Sequence, residues 1–273
     1  MAPFAETTEV YDAFAPIYDA VGGPRFAMLC AQRLDALVAL RLPQLITGGP
    51  AAGAAPGTLA AQRLSFLDVG CGTGTLLCAL REAHPDWRLA GVDGSPSMLG
   101  RARGKPGHES ILWLRAMLPA PLPFGDDFHV VGSFYDTLNH LPDLDALTAT
   151  FRTVASVLRP GGLFAFDLTS PFGYAELWRH RLDFRAGEYV VHSELDYDPG
   201  THTGSAAVSI AHQGTERSFV LHQRCFAEAD VEMALIDAGF TPDVVAPWSP
   251  IKKNSPSKLW FVATKDKNRL FRP

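Results

Sequence analysis

The sequence predicts an α/β fold, a doubly wound sheet of seven strands with an antiparallel β cap inserted late in the chain. Three observations predict it. Leu64, Phe66, Leu67 and Val69 form an apolar run too short for a helix, and the run ends in the glycine-rich stretch FLDVGCGTG, Phe66 to Gly74. A helical pattern from Thr75 to Ala83 and a second apolar run ending at Asp93 complete a βαβ unit. From Leu182 to Phe226 the pattern changes to strands separated by turns, more chain than an ordinary βα connection uses.

Taken in order, Thr8 to Ala20 carries Tyr11 and Tyr18 seven residues apart, and Pro16 interrupts the helical face they would share, so two short helical pieces are expected. Apolar residues at helical spacing between Arg25 and Leu45 indicate a helix covering the sheet, with Pro43 trimming its end. Gly48 to Gly57, GGPAAGAAPG, has nothing with which to build a core and reads as a flexible connection. Gly70, Gly72 and Gly74 let the backbone turn sharply and remove side chains that would hold a ligand off the main chain. Asp93 stands nineteen residues after Gly74, at the tip of the second strand, where a carboxylate hydrogen-bonds a ribose diol. The unit is therefore built for an adenosine-containing ligand. Thr75 occupies the place of a dinucleotide fingerprint's last glycine, so no pyrophosphate fingerprint is present.

Ser95 to Arg103 reads as a helix capped by Ser95 with Pro96 in its first turn, followed by a strand at Ile111 to Leu114 and another at His129 to Phe134. YDTLNHL, Tyr135 to Leu141, leaves the carboxyl end of that fourth strand and should face the same crevice as Gly70 and Asp93. It holds Asp136, Asn139 and His140, a carboxylate, an amide and an imidazole within five positions. Asp143 to Leu158 is helical and is stopped by Pro160, Gly161 and Gly162; Leu163 to Leu168 is a fifth strand that points Asp167 at the crevice. Phe172 to Trp178 is a short helix. The cap then reads as three strands, about 182 to 197, 204 to 213 and 217 to 226. His192, His202, His212 and His222 recur every ten residues, but no pair has a recognised ligand spacing, so no metal is expected. Phe172, Tyr174, Trp178, Phe184, Tyr189 and Tyr197 either line a pocket or knit the cap together, and the sequence does not choose. Ala227 to Ala238 is a final helix closed by Gly239, and Val244 to Trp248 and Lys258 to Thr264 are the last two strands.

FLDVGCGTG, GVDGSPSML (Gly91 to Leu99) and LRPGGLFAFDL (Leu158 to Leu168) together resemble the successive landmarks of class I S-adenosylmethionine-dependent methyltransferases, a likeness strong over residues 60 to 170. The resemblance implies a Rossmann-like sheet and S-adenosylmethionine as cofactor, with S-adenosylhomocysteine as product. It implies that Gly70, Cys71 and Gly72 lie along the methionine part, that Asp93 binds the ribose hydroxyls, and that Gly94 with Met98 flanks the adenine, with Gly74, Met117 and Ser133 also cofactor-binding. One departure is visible: Arg115, Ala116, Met117 and Leu118 supply no acid for the adenine amine. Tyr18 is the leader tyrosine expected to close over the sulfonium end, the alternative being that both tyrosines pack as core edges. The small-molecule members that this chain resembles, the amino-sugar N-methyltransferases, carry a histidine–leucine pair after the fourth strand, which makes His140 the candidate base; Asp136 and Asn139, by their place after that strand, and Asp167, at the end of the fifth, are candidates for holding substrate. The alternative for His140 is a helix-capping or solvent-facing side chain.

The expected organisation is residues 1–47 as N-terminal helices over the cofactor site, 58–180 as the cofactor-binding core, 181–226 as the substrate cap, and 227–273 as the last helix and strands. The chain of 273 residues has 24 Lys and Arg against 29 Asp and Glu, a net charge of −5 with no basic run, so nucleic acid and anionic membrane are poor partners. Cys30, Cys71, Cys78 and Cys225 have no C-x-x-C spacing. No basic segment leads into an apolar core at the start of the chain, and a soluble, cytoplasmic enzyme is expected. The reading is methyl transfer to nitrogen or oxygen of a small metabolite. Its rivals are carbon methylation or non-methyl chemistry with the same cofactor, a non-catalytic cofactor-binding protein, and a dinucleotide oxidoreductase.

Overall fold

The computed structural model describes residues 7–21, 23–47, 63–249 and 255–267. The glycine- and alanine-rich connection expected at Gly48 to Gly57 lies outside them. Two helices lead the chain, α1 (Thr7–Phe14) and α2 (Gly23–Thr47), with a 3-10 turn at Tyr18–Ala20 between them. Helix α2 runs through Pro43 rather than ending there; a missing N–H removes one intrahelical hydrogen bond, to Ala39, near the end of a long helix.

The core continues as β1 (Ser65–Val69), α3 (Thr75–Ala83), β2 (Arg88–Asp93), α4 (Pro96–Ala102), β3 (Ile111–Arg115), β4 (Phe128–Ser133), α5 (Leu144–Val157) and β5 (Leu158–Thr169). After α6 (Pro171–Leu177) come four strands, β6 (Arg181–Ala186), β7 (Tyr189–Asp198), β8 (Thr203–His212) and β9 (Thr215–Arg224). The chain returns through α7 (Glu228–Asp237) to β10 (Phe240–Trp248) and β11 (Lys258–Lys265). Seven strands form one sheet in the order β10-β11-β5-β4-β1-β2-β3. Its pairs from β5 to β3 are parallel, and β11 runs antiparallel between β5 and β10. The order reverses between β1 and β4, which opens a crevice beyond the carboxyl ends of those strands.

Alternate residues of the central strands feed two cores. Leu67, Val131, Phe164 and Phe166 pack with Phe151 and Val154 of α5 and Leu235 of α7. Phe66, Val130, Ala165 and Trp260 pack on the other face with Leu34 of α2 and Leu76, Leu77 and Leu80 of α3. Burial of such side chains stabilises by about 1.5–3 kcal/mol each, and it holds the carboxyl ends of the strands in fixed register.

Two expectations are corrected. The cap has four strands and not three, because Gly187 (φ +60°) and the following Glu188 make a two-residue turn that splits the first long run, pairing Ala186 with Tyr189. Strand β5 begins at Leu158 rather than Leu163: Pro160 to Gly162 does end α5, but it forms an irregularity within the strand, with Leu158 opposite Phe128 and Leu163 opposite Val130. The cap sheet, β6-β7-β8-β9, is antiparallel throughout, and its Val191, Ala206, Val208 and Ile210 close over Ala13, Phe14 and Ile17 of the leader. The leader is thus held between cap and core. Among the described residues no helix is long and apolar enough to cross a membrane.

Candidate active site

The glycine loop leaves β1 in left-handed backbone. Gly70, Gly72 and Gly74 have φ of +75°, +53° and +72°. The three glycines do different work. A Cβ on Gly70 would sit 2.6 Å from Thr137 Oγ1, and one on Gly74 would lie 2.9 Å from Ala102 Cβ and press into Trp113. A Cβ on Gly72 would meet nothing nearer than Tyr18 at 3.8 Å. Gly70, Cys71 and Gly72 line a cavity of about 420 Å³ at the crevice, whereas Gly74 lies outside its wall and makes room for packing.

Asp93 ties this loop to the end of β2. Its Oδ2 accepts from the Gly72 N–H at 2.8 Å and its Oδ1 from the Ser95 N–H at 2.8 Å. Burial pushes its carboxyl up, while those backbone hydrogen bonds pull the other way. A carboxylate offers about four acceptor positions, so Asp93 keeps capacity on its cavity side. Gly94, Met98 and Met117 complete this part of the wall, and a Cβ on Gly94 would collide with the Met117 sulfur. Ser133 does not line the cavity; its hydroxyl donates to the Val69 carbonyl at 2.9 Å and ties β4 to β1.

The leader closes the opposite side. Tyr11 and Tyr18 both line the cavity, with ring centroids 6.4 Å apart, and Tyr18 meets Tyr135 edge-on at 6.1 Å. Two carboxylates fasten the leader to helix N-termini. Asp12 Oδ1 accepts from Ser95 Oγ at 2.5 Å and from the Ser97 N–H at 3.1 Å, at the start of α4. Asp19 accepts from Thr73 Oγ1 at 2.6 Å and pairs with Lys105 at 2.8 Å, at the start of α3. Burial acts against ionisation of both, but these partners hold each below the usual carboxylate range.

After β4, Tyr135 and Asp136 both adopt left-handed backbone, φ +62° and +63°, which costs about 1–3 kcal/mol for each non-glycine residue. Side chains beneath them hold the turn in place. Asp167 Oδ1 accepts from the Tyr135 N–H at 2.6 Å, and Lys258 Nζ donates to Asp167 Oδ2 at 2.7 Å and also to Asp136. Asp136 accepts further from Thr169 Oγ1 at 2.5 Å. Asn139 is wholly buried, accepting from the Thr169 N–H at 3.0 Å and donating to the Arg224 carbonyl at 2.8 Å. Asp136, Asn139 and Asp167, expected to hold substrate, therefore do not line the cavity, and their polar atoms are spent inside the protein.

His140 does line it. Its Nδ1 lies 3.3 Å from the His222 carbonyl, and its Nε2 lies 2.8 Å from Tyr11 Oη and 3.3 Å from Gln223 Nε2. Burial pushes the imidazole down to about 4, against the opposing influence of Asp136 and the His222 carbonyl. It is neutral at physiological pH.

Two residues of the site escaped the sequence reading of roles. Tyr11 was passed over in favour of Tyr18, although the two stand in the same leader. Asp68, in the middle of β1, is 4% exposed, lines the cavity and makes no side-chain hydrogen bond among the described residues; burial and the nearby Asp93 push it up to about 8. The available signal was a lone acid in an otherwise apolar strand. Among the described residues lining the cavity, none is Lys or Arg. The four histidines of the cap meet no common point: His192 pairs with Asp183 at 2.8 Å and His212 stacks on Tyr189.

The residues present fit S-adenosylmethionine. An unpartnered buried carboxyl suits an ammonium group, the half-used Asp93 carboxylate suits a ribose diol, and a glycine wall with two methionine side chains suits a flat base. Comparison with known proteins agrees. The family described as "Methyltransferase domain" matches residues 66–162. A putative methyltransferase of Bacillus subtilis, YqeM, is 28% identical over 215 residues, covering 74% of this chain and 84% of the relative. The CcbJ methyltransferase of Streptomyces caelestis superposes with a TM-score of 0.70 at 21% identity, over 96% of this chain and 99% of that one. CalS10 of Micromonospora echinaspora, an amino pentose methyltransferase solved with S-adenosylmethionine bound, gives 0.61 at 19% identity, over 91% and 96%. The matched domain, the sheet order and the cofactor-shaped wall lead to one conclusion: this chain is a class I S-adenosylmethionine-dependent methyltransferase.

Proposed function

We propose that the enzyme methylates the nitrogen of a small-molecule amine in the cytoplasm. The observation that carries this reading is the cavity wall beyond the cofactor's share, which offers Tyr11, Tyr18, Tyr135 and a neutral His140 and, among the described residues, no Lys or Arg. An acceptor bearing a carboxylate or phosphate would lose hydration with no cationic side chain of the described wall to replace it. An amine meets tyrosine hydroxyls instead. CalS10, with its amino pentose acceptor, supports the same class.

The cofactor supplies an electrophilic methyl group on a sulfonium. In this reading Asp68 holds its ammonium, Gly70, Cys71 and Gly72 lie along its methionine chain, Asp93 holds its ribose, and Gly94, Met98 and Met117 enclose its adenine. Tyr18 and Tyr135 shield the reacting end from water. The remaining work is to hold the nucleophile in line with the methyl group, and an enclosed cavity with fixed walls supplies that. A hydroxyl acceptor would need a base, and an imidazole held near 4 is a weak one at neutral pH. Oxygen as acceptor is therefore the second reading.

The test is incubation with methyl-labelled S-adenosylmethionine and separate panels of small amines, alcohols and carboxylic acids, read by mass. A methyl gain confined to amines is expected. Gain on carboxylic acids, with amines unchanged, would contradict the proposal.

A further inference from the structure

The sequence makes His140 the candidate base, but its hydrogen bonds are arranged for another task. Its Nδ1 faces the His222 carbonyl at 3.3 Å, an atom that only accepts, so Nδ1 carries the proton. A second constraint reaches the other nitrogen independently. Tyr174 Oη donates to Gln223 Oε1 at 3.0 Å, which turns the Gln223 NH2 toward His140 Nε2 at 3.3 Å. Tyr174 and Gln223 are both buried, so the amide has no water with which to reverse. Both constraints give the same tautomer: Nδ1 donates and Nε2 accepts.

The consequence falls on Tyr11. Its hydroxyl lies 2.8 Å from His140 Nε2 and must donate there. Its oxygen makes no other hydrogen bond among the described residues, and both Tyr11 and His140 line the cavity. Burial and the surrounding carboxylates, Asp136 and Asp93, push the phenol far up, so the proton stays on oxygen. The free face of that oxygen is an acceptor and nothing else.

On the reading above, that the acceptor is an amine, we propose that Tyr11 is the catalytic residue that receives the acceptor's N–H, and that strand β9 of the cap, through His222 and Gln223, sets His140 as the positioning residue behind it. The amine binds as its free base, having left its extra proton in solvent, and donates one N–H to Tyr11 Oη, which leaves its lone pair free to turn toward the methyl group. The lone pair forms the N–C bond while the S–C bond breaks with its electron pair going to sulfur. The proton remains on the ammonium product and leaves with it. Neither Tyr11 nor His140 changes protonation. The arrangement admits primary and secondary amines and gives a tertiary amine no N–H to place.

Two measurements test this on the intact protein. Long-range proton–nitrogen NMR of the 15N-labelled enzyme at neutral pH reads the His140 ring, assigned by its loss in His140→Gln. A neutral ring protonated at Nδ1 is expected, and Tyr11→Phe should leave it unchanged. Gln223→Glu should move the proton to Nε2, since a carboxylate there accepts. A wild-type ring that is charged or protonated at Nε2 overturns the proposal whether or not the variants fold. In the second, primary, secondary and tertiary amines are offered with S-adenosylmethionine to wild type and Tyr11→Phe. A fall in kcat/KM of tenfold or more on primary and secondary amines, with S-adenosylmethionine affinity by calorimetry unchanged, supports the role. Equal kcat/KM in Tyr11→Phe overturns it while the amine reading stands. No methylated amine at all, with methyl transfer to another panel, defeats the amine reading and this role together, and the NMR result then still reports the tautomer separately.

Discussion

Asp93, whose two oxygens accept from the Gly72 and Ser95 N–H groups, also lines the cavity. Asp93→Ala is expected to weaken S-adenosylmethionine binding by tenfold or more, since a hydrogen bond to a charged group contributes about 1.5–3 kcal/mol; calorimetric titration reads it. Asp68 should show a conflict between stability and function. Its carboxyl is held protonated up to about 8, well above the unfolded value near 4. The native state therefore binds more protons across that interval, and the ligand-free protein loses stability as pH rises through it. Asp68→Asn should raise the melting temperature of the ligand-free enzyme at pH 8 and at the same time weaken cofactor binding, as thermal denaturation and calorimetry together would record. The sequence made Asp93 legible because its place after a glycine loop is fixed by the βαβ unit. Asp68 was not legible in the same way, because nothing in a five-residue run tells which face of a buried strand meets a cavity.

Elements that pair locally were readable, and those that depend on a distant partner were not. The strand, turn and helix from Ser65 to Ala83 follow from apolar patterning and glycine. The Ser95 cap of α4, accepting from the Met98 N–H at 3.0 Å, follows from a serine before proline. The loop after β4 was placed at the crevice, yet Asp136, Asn139 and Asp167 turned inward because Lys258, more than ninety residues further on, arrives from β11 to pair with two of them. Only the sheet order brings those residues together. The leader offers an element-scale prediction. Its two fastenings, Asp12 on α4 and Asp19 on the Thr73 and Lys105 pair, should govern how fast the cavity opens. Asp12→Ala with Asp19→Ala should speed S-adenosylmethionine release several-fold by stopped-flow measurement, while the far-ultraviolet circular dichroism of the core is retained.

For the whole molecule, the doubly wound sheet with its β cap was the part that patterning and the resemblance together resolved most fully. The count of cap strands depended on a two-residue turn at Gly187 and Glu188, within one long strand-forming run. Acid stability is a property of this assembled state. His140 is held near 4 beneath the cap, against about 6.5 when unfolded. The unfolded chain binds more protons between those values, so this stability is complete above about 6.5 and is lost as pH falls toward 4. The loss is about 3 kcal/mol from this one group by the pKa-to-energy conversion. Denaturant titrations at pH 7 and pH 5 should show the decline, and His140→Gln should flatten it.

The central claim, that the cavity between the glycine loop, Asp93 and the leader binds S-adenosylmethionine, is tested most directly by calorimetric titration of wild type and Asp93→Ala, with NADH as control. The account predicts saturable, single-site binding of S-adenosylmethionine and S-adenosylhomocysteine to wild type, weakened tenfold or more in the variant, and no binding of NADH. Unchanged affinity in a folded Asp93→Ala protein, or binding of NADH in place of the methyl donor, would contradict it.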